Sequence, residues 1–112
     1  MNARLMALCV LAGAATVSIA QEGATVERGK QVFDYWCAPC HGPGPRHRGT
    51  QTLDALYNGA KPAPLEQRTD LVPELTRRFV RNGVSVMLPF RKTEIGDADF
   101  AALAAYLAPR GP

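Results

Sequence analysis

Cys37-Ala38-Pro39-Cys40-His41 constrains this chain more than any other stretch. On a helical turn, positions i, i+3 and i+4 share one face, so two thiols and an imidazole can approach one planar ligand together. Several chemistries use such a set. A thioredoxin-like redox pair needs a βαβ setting, which the surrounding sequence does not offer. A zinc site from Cys37, Cys40, His41 and His47 has enough ligands on paper. However, adjacent Cys40 and His41 have difficulty meeting one tetrahedral ion. A structural disulfide between Cys37 and Cys40 leaves His41 without a role. Covalent attachment of haem uses all three groups: the thiols add to the vinyl groups as thioethers and the imidazole ligates iron.

The beginning of the chain reads as an export leader, residues 1–20, with the folded domain over residues 21–112. Arg4 gives a positive start, Leu5 to Ile19 is apolar apart from small residues, and Ser18 and Ala20 form a small-residue cleavage site before Gln21. The apolar span is short for an uncleaved membrane anchor. Bulky Leu8 argues against a lipid on Cys9. The expectation is a periplasmic protein without a stable membrane anchor, in which Cys9 is lost and only Cys37 and Cys40 remain. Covalent attachment suits an exported protein, which cannot rely on a local supply of haem. Charge is only mildly positive, 13 Lys and Arg against 10 Asp and Glu, and no basic run suggests nucleic acid as a partner. A domain this small is short of apolar core. A large apolar cofactor at its centre would relieve that shortage.

The folded part shows helical periodicity and no sustained strand alternation. The first helix is expected over about Thr25 to Tyr35, capped by Thr25, with Val26, Val32 and Phe33 inward. The second spans about Gln51 to Tyr57, with Leu53, Leu56 and Tyr57 on one side and Asn58-Gly59 ending it. The third starts at Pro73 and runs to Asn82, where Gly83 supplies a left-handed stop; Leu75, Phe79 and Val80 would face inward. The fourth covers about Asp97 to Ala108, with Phe100, Leu103, Ala104 and Leu107 at helical spacing, acidic residues at its start and Pro109 at its end. The fold class is all-α.

His41 would fill one axial position of a haem iron. A thioether opposite a histidine raises the reduction potential of electron-carrying haem proteins. Met1 and Met6 belong to the leader, which leaves Met87, in the Pro-stiffened stretch Met87-Leu88-Pro89-Phe90, as the methionine of the folded part. Met87 is therefore the expected second axial ligand. His47, flanked by Arg46 and Arg48, is the rival and reads as a solvated loop residue.

Taken together, Gly29 and Phe33 ahead of the Cys-x-x-Cys-His motif, Met87-x-Pro-Phe90, and Leu103-Ala-Ala-Tyr106-Leu107 make the chain resemble the small class I c-type cytochromes. The resemblance implies a single domain of about four short helices around one covalently bound haem c. It also implies that the first and last helices cross in contact, Gly29 allowing close approach to Tyr106. Members of that family place a proline whose carbonyl accepts the N–H of the proximal histidine; here Pro43 and Pro45 both qualify, and Pro45 is preferred. A narrower similarity lies in Trp36 beside the first cysteine and Val80-Arg81-Asn82-Gly83. It is to cytochrome subunits of flavoprotein alkylphenol oxidases of the p-cresol methylhydroxylase type. Related Arg-Asn-Gly patterns occur in cytochromes that serve quinoprotein alcohol dehydrogenases.

The resulting expectation is an electron carrier and not itself an enzyme. It would accept single electrons from a flavoprotein dehydrogenase subunit and pass them to a downstream acceptor. A free soluble carrier, an electron acceptor of a quinoprotein alcohol dehydrogenase and an open-iron haem protein remain as alternatives. Phe33, Leu53, Leu56, Leu75, Phe79 and Phe90 are expected around the haem. Trp36 and Leu88 would flank an exposed haem edge. Arg77, Arg78 and Arg81 form a cationic side of the third helix, available to haem propionates, to an acidic partner or to solvent.

Overall fold

Pro39 sets where the first helix changes its hydrogen bonding, and that helix does not stop at Tyr35. The computed structural model describes residues 25–109; the leader expected over residues 1–20 lies outside them. Thr25, expected as a cap, is already helical. Residues 25–32 are α-helical, Phe33–Cys37 form a π-helical turn, and Ala38–His41 resume the α-helix. This continuous element, residues 25–41, is α1. Pro39 has no N–H to give to the carbonyl one turn back, and the π turn just before it absorbs the shift, Ala38 N–H donating to the Phe33 carbonyl. Gly42 leaves the helix in an extended conformation.

Helix α2 spans Arg48–Tyr57, beginning ahead of the expected Gln51, and ends at Asn58, whose φ of 47° is left-handed. A Pro-containing connection with one 3₁₀ turn, Leu65–Gln67, leads to α3, Pro73–Asn82. Pro73 occupies the first turn of α3, where a missing N–H costs nothing, and Gly83 at φ 68° stops it. Helix α4 covers Asp97–Leu107, with Asp97 and Asp99 at its positive end. Among the described residues the only β pairing is an isolated bridge between Val84 and Met87.

The buried core joins Val32, Phe33 and Cys37 of α1, Val80 of α3, and Phe100, Leu103, Ala104 and Leu107 of α4. Ile95, in the turn before α4, is fully buried as well. The contact that fixes this arrangement is the crossing of α1 and α4. A Cβ on Gly29 would run into the Ala102 carbonyl oxygen and lie 2.6 Å from Tyr106 Cβ. Next to this contact the Phe33 and Tyr106 rings pack with centroids 5.7 Å apart. On the solvent side Arg28 grips Asp99 through two hydrogen bonds of 2.8 Å. That pair is exposed and adds orientation more than stability.

Replacing Gly29 by Ala puts the new methyl group into backbone, which cannot swing aside. Thermal melting of the Gly29→Ala variant should show a loss of about 3 kcal/mol, the upper end for overpacking a core.

Candidate functional site

Between α1, α2, α3 and the inner face of α4 lies an apolar cleft with a cavity volume of about 200 Å3. Cys37 and His41 line it from α1, Leu53 and Leu56 from α2, Phe79 and Val80 from α3, Leu103 and Leu107 from α4, and Met87 from the loop beyond α3. A second cavity opens to solvent beside it, lined by Trp36, Cys40, Val86, Leu88 and Phe90. Cys37, His41 and Met87 border both. The two cavities thus form one slot, whose outer end is bordered by the exposed side chains of Val86 and Leu88.

The motif residues stand at the entrance of this slot. Both cysteines are free thiols, Cys37 buried and Cys40 exposed. Burial pushes the Cys37 thiol up to about 12, so it faces the cleft as a neutral group. His41 is held below the ordinary histidine value, first by burial and second by the positive charge of Arg68. A neutral imidazole has a lone pair to offer a metal. Gly49, in the first turn of α2, lies against this ring: a Cβ there would meet the Cys40 carbonyl at 2.7 Å and His41 Cε1 at 2.8 Å. The buried hydroxyl of Thr50 donates to the Gly42 carbonyl at 2.7 Å and ties α2 to the end of α1. Gly49 and Thr50 carry no signal in the sequence, because their role exists only where α2 meets His41.

Met87 is presented by a short loop. Gly83 turns the chain through positive φ, and a Cβ on it would lie 2.5 Å from the Met87 carbonyl. Val84 and Met87 exchange backbone hydrogen bonds of 2.9 Å across Ser85 and Val86, with Ser85 at φ 53°. Pro89 stiffens the exit, and Phe90 N–H donates to the Val80 carbonyl at 2.8 Å. The thioether is therefore on an anchored loop that borders the same slot as Cys37 and His41.

Not every expected site residue borders the slot. The Pro45 carbonyl accepts from the Gln51 side chain rather than from His41. His41 Nδ1 is buried without a hydrogen-bond partner among the described residues. Of the expected haem surroundings, Leu53, Leu56 and Phe79 line the cleft and Phe90 lines its mouth. Phe33 and Leu75 do not; they pack in and against the helix core, because the π turn and the α1–α4 crossing turn Phe33 toward Tyr106. Two of the three cations of α3 face α4: Arg77 lies 4.4 Å from the Phe100 ring centroid, and Arg81 reaches Asp97.

The cation at the cleft wall is Arg68, which the sequence reading missed. Its side chain is 6% exposed. It donates to both carboxylate oxygens of Asp70 at 2.7 Å and to the Tyr57 hydroxyl at 2.8 Å. Lys61 adds a third cationic contact to Asp70 at 3.0 Å. His47 stays outside the cleft, its ring against Gly42. Among the described residues no three His, Cys, Asp or Glu side chains converge as an ion site.

An apolar slot with two thiols, a neutral imidazole and a thioether at its borders, and a buried guanidinium at its wall, fits a large planar iron cofactor with acidic substituents. The helical fold and this site define a class I c-type cytochrome domain, a haem c-binding electron-transfer protein. The family model described as cytochrome C oxidase, cbb3-type, subunit III matches residues 24–107, and the chain belongs to that family. No curated protein and no solved structure matches it.

The Asp70 carboxyl is held well below the usual carboxylate range, chiefly by its hydrogen bond from Arg68. A depressed carboxylate contributes stability that is present above its unfolded value, near 4, and is lost as pH falls through its folded value. The melting temperature of the Asp70→Asn variant should lie several degrees below that of the wild type at pH 7. The difference should shrink as the pH falls below ~4, where the unfolded carboxyl takes up a proton while the folded one stays ionised.

Proposed function

We propose that Cys37 and Cys40 hold one haem as thioethers, with His41 and Met87 as the axial groups. The single observation that carries this reading is the meeting of Cys37, His41 and Met87 on one apolar slot. Bound there, the iron would exchange single electrons between ferric and ferrous states. The chain's own residues set the terms of that exchange. The neutral His41 supplies a lone pair from the first helix and Met87 a soft sulfur that favours the reduced form. Leu53, Phe79, Leu103 and Leu107 exclude water. Arg68, already fixed by Asp70 and Tyr57, offers positive charge to the acidic edge of the cofactor.

Electron entry and exit would use the open end of the slot. Val86 is 89% and Leu88 78% exposed there. The half-buried Trp36 stands behind them, its ring packed edge-on against Phe90. An apolar rim of this kind suits transient docking. The proposed donor is a flavoprotein alkylphenol dehydrogenase or hydroxylase of which this chain is the cytochrome subunit, supported by Trp36 and the Val80-Arg81-Asn82-Gly83 pattern. The family's description as an oxidase subunit supports a respiratory oxidase as the class of downstream acceptor. The proposed location is the periplasm, supported by the leader-like beginning of the sequence. No helix among the described residues is long and apolar enough to cross a membrane.

Protein exported together with haem-maturation machinery should give sharp reduced-state bands that stay with the chain after denaturation. The ferric form should show the weak red band of sulfur-ligated haem, absent in Met87→Ala. Ready binding of carbon monoxide by the wild type, without the red band, would instead establish an open iron. For the partner, native purification from cells that make a flavoprotein dehydrogenase should yield a complex carrying both flavin and haem. A chain that always elutes alone would establish a free carrier.

A further inference from the structure

Arg81 stands in the last turn of α3, outside the haem cleft, with its side chain only 16% exposed. A guanidinium buried that far costs free energy unless it is well bonded. Its partners are few. Nη1 donates to the Phe90 carbonyl at 3.2 Å, Nη2 reaches Asp97 at 3.4 Å, and the cation lies 5.5 Å from the Phe100 ring centroid. Nε is buried with no partner among the described residues. For stability alone, an apolar side chain of similar volume serves such a position as well or better. What Arg81 accomplishes is positional.

Phe90 closes the loop that carries Met87, and consecutive residues of α3 hold it. The Val80 carbonyl accepts its N–H at 2.8 Å, and Arg81 donates to its carbonyl. At the other end Gly83 leaves no room for the loop to collapse inward, since a Cβ there would meet both the Met87 carbonyl and Pro89. The loop is thus clamped at Gly83 and at Phe90. The second clamp is one backbone bond plus Arg81, which is itself braced against the first turn of α4 through Asp97.

We propose that Arg81 is the positioning residue for the sixth ligand: it locks the far end of the Met87 loop to α3 and α4 and so keeps the thioether turned toward the slot. This rests on the reading that Met87 ligates iron. Arg81 does not touch the cofactor, and its loss acts through the loop.

The test uses the ferric haem-loaded protein, titrated with imidazole as a competitor for the sixth position and separately with base, while the red band is followed. Arg81→Met removes both donors at similar volume. It should bind imidazole about tenfold or more tightly than the wild type, the scale of one lost charge-assisted hydrogen bond. It should also lose the red band at lower pH. Arg81→Lys, which keeps charge without the fork, should fall between the two and remains informative if Arg81→Met does not fold. Arg28→Met, which breaks the distant exposed pair with Asp99, should leave imidazole affinity unchanged. Equal imidazole affinity in Arg81→Lys, Arg81→Met and wild type overturns the proposal, as does a shift of the same size in Arg28→Met. If the wild type itself has no red band and Met87→Ala changes nothing, Met87 ligation fails and the role of Arg81 falls with it. If Met87→Ala abolishes the band and the Arg81 variants are unaffected, only the role of Arg81 fails.

Discussion

The close approach of α1 and α4 at Gly29 is the contact on which the rest of the molecule depends. With less than a methyl group of space between Gly29 and the Ala102 carbonyl, the two helices cross at one place. Phe33 and Tyr106 lock the crossing on the apolar side and Arg28 with Asp99 on the wet side. Because Cys37, Cys40 and His41 continue along α1, the crossing also fixes where the motif faces. Leu103 and Leu107 of α4 become the wall opposite it. A helix pair that merely packed well at a larger separation would leave the slot without a back.

The slot combines two environments that usually oppose each other. Its lining is almost wholly aliphatic and aromatic, which raises the Cys37 thiol and keeps His41 neutral. Yet a guanidinium sits in its wall. That is tolerable because Arg68 enters already bonded to Asp70 and Tyr57, and Asp70 in turn to Lys61. The charge can act on a bound group and on His41 without standing unpaired. The apolar lining also explains how so short a chain sustains a fold. Half-buried Leu53 and Tyr57 and exposed Leu56 point into space that a planar cofactor would fill, so the cofactor completes the core.

The second functional element, the Met87 loop, has little core of its own and depends on backbone bonds and one arginine for its shape. Its apolar side chains Val84, Val86 and Leu88 remain at the surface, where they border the open end of the slot. Rigidity near the ligand and apolar exposure at the tip are thus provided by the same short segment. One fixes a sulfur atom; the other leaves an apolar tip beside the slot.

By itself the sequence determined the helical class, several helix ends and the family's haem-binding motif. Pro73, Gly83, Asp97 and Asn58-Gly59 mark ends that the fold keeps, because caps and stops act through neighbouring backbone groups only. Cys-x-x-Cys-His declares its chemistry through local spacing, and Met87, the only methionine among the described residues, stands out by its scarcity. Tertiary structure decided the rest. Nothing local distinguishes Phe33 and Leu75, which belong to the helix core, from Phe79 and Leu53, which line the slot; all satisfy the same periodicity, and only the crossing angle separates them. The continuation of α1 through a π turn depends on Pro39 within a packed helix. Arg68, Gly49 and Thr50 acquire their roles from chain segments brought together by folding. Arg81 looked like one of three cations on a solvated face until α4 and Phe90 were placed against it. Short-range bonding is written in adjacent residues, whereas burial and charge pairing belong to whatever the fold brings near.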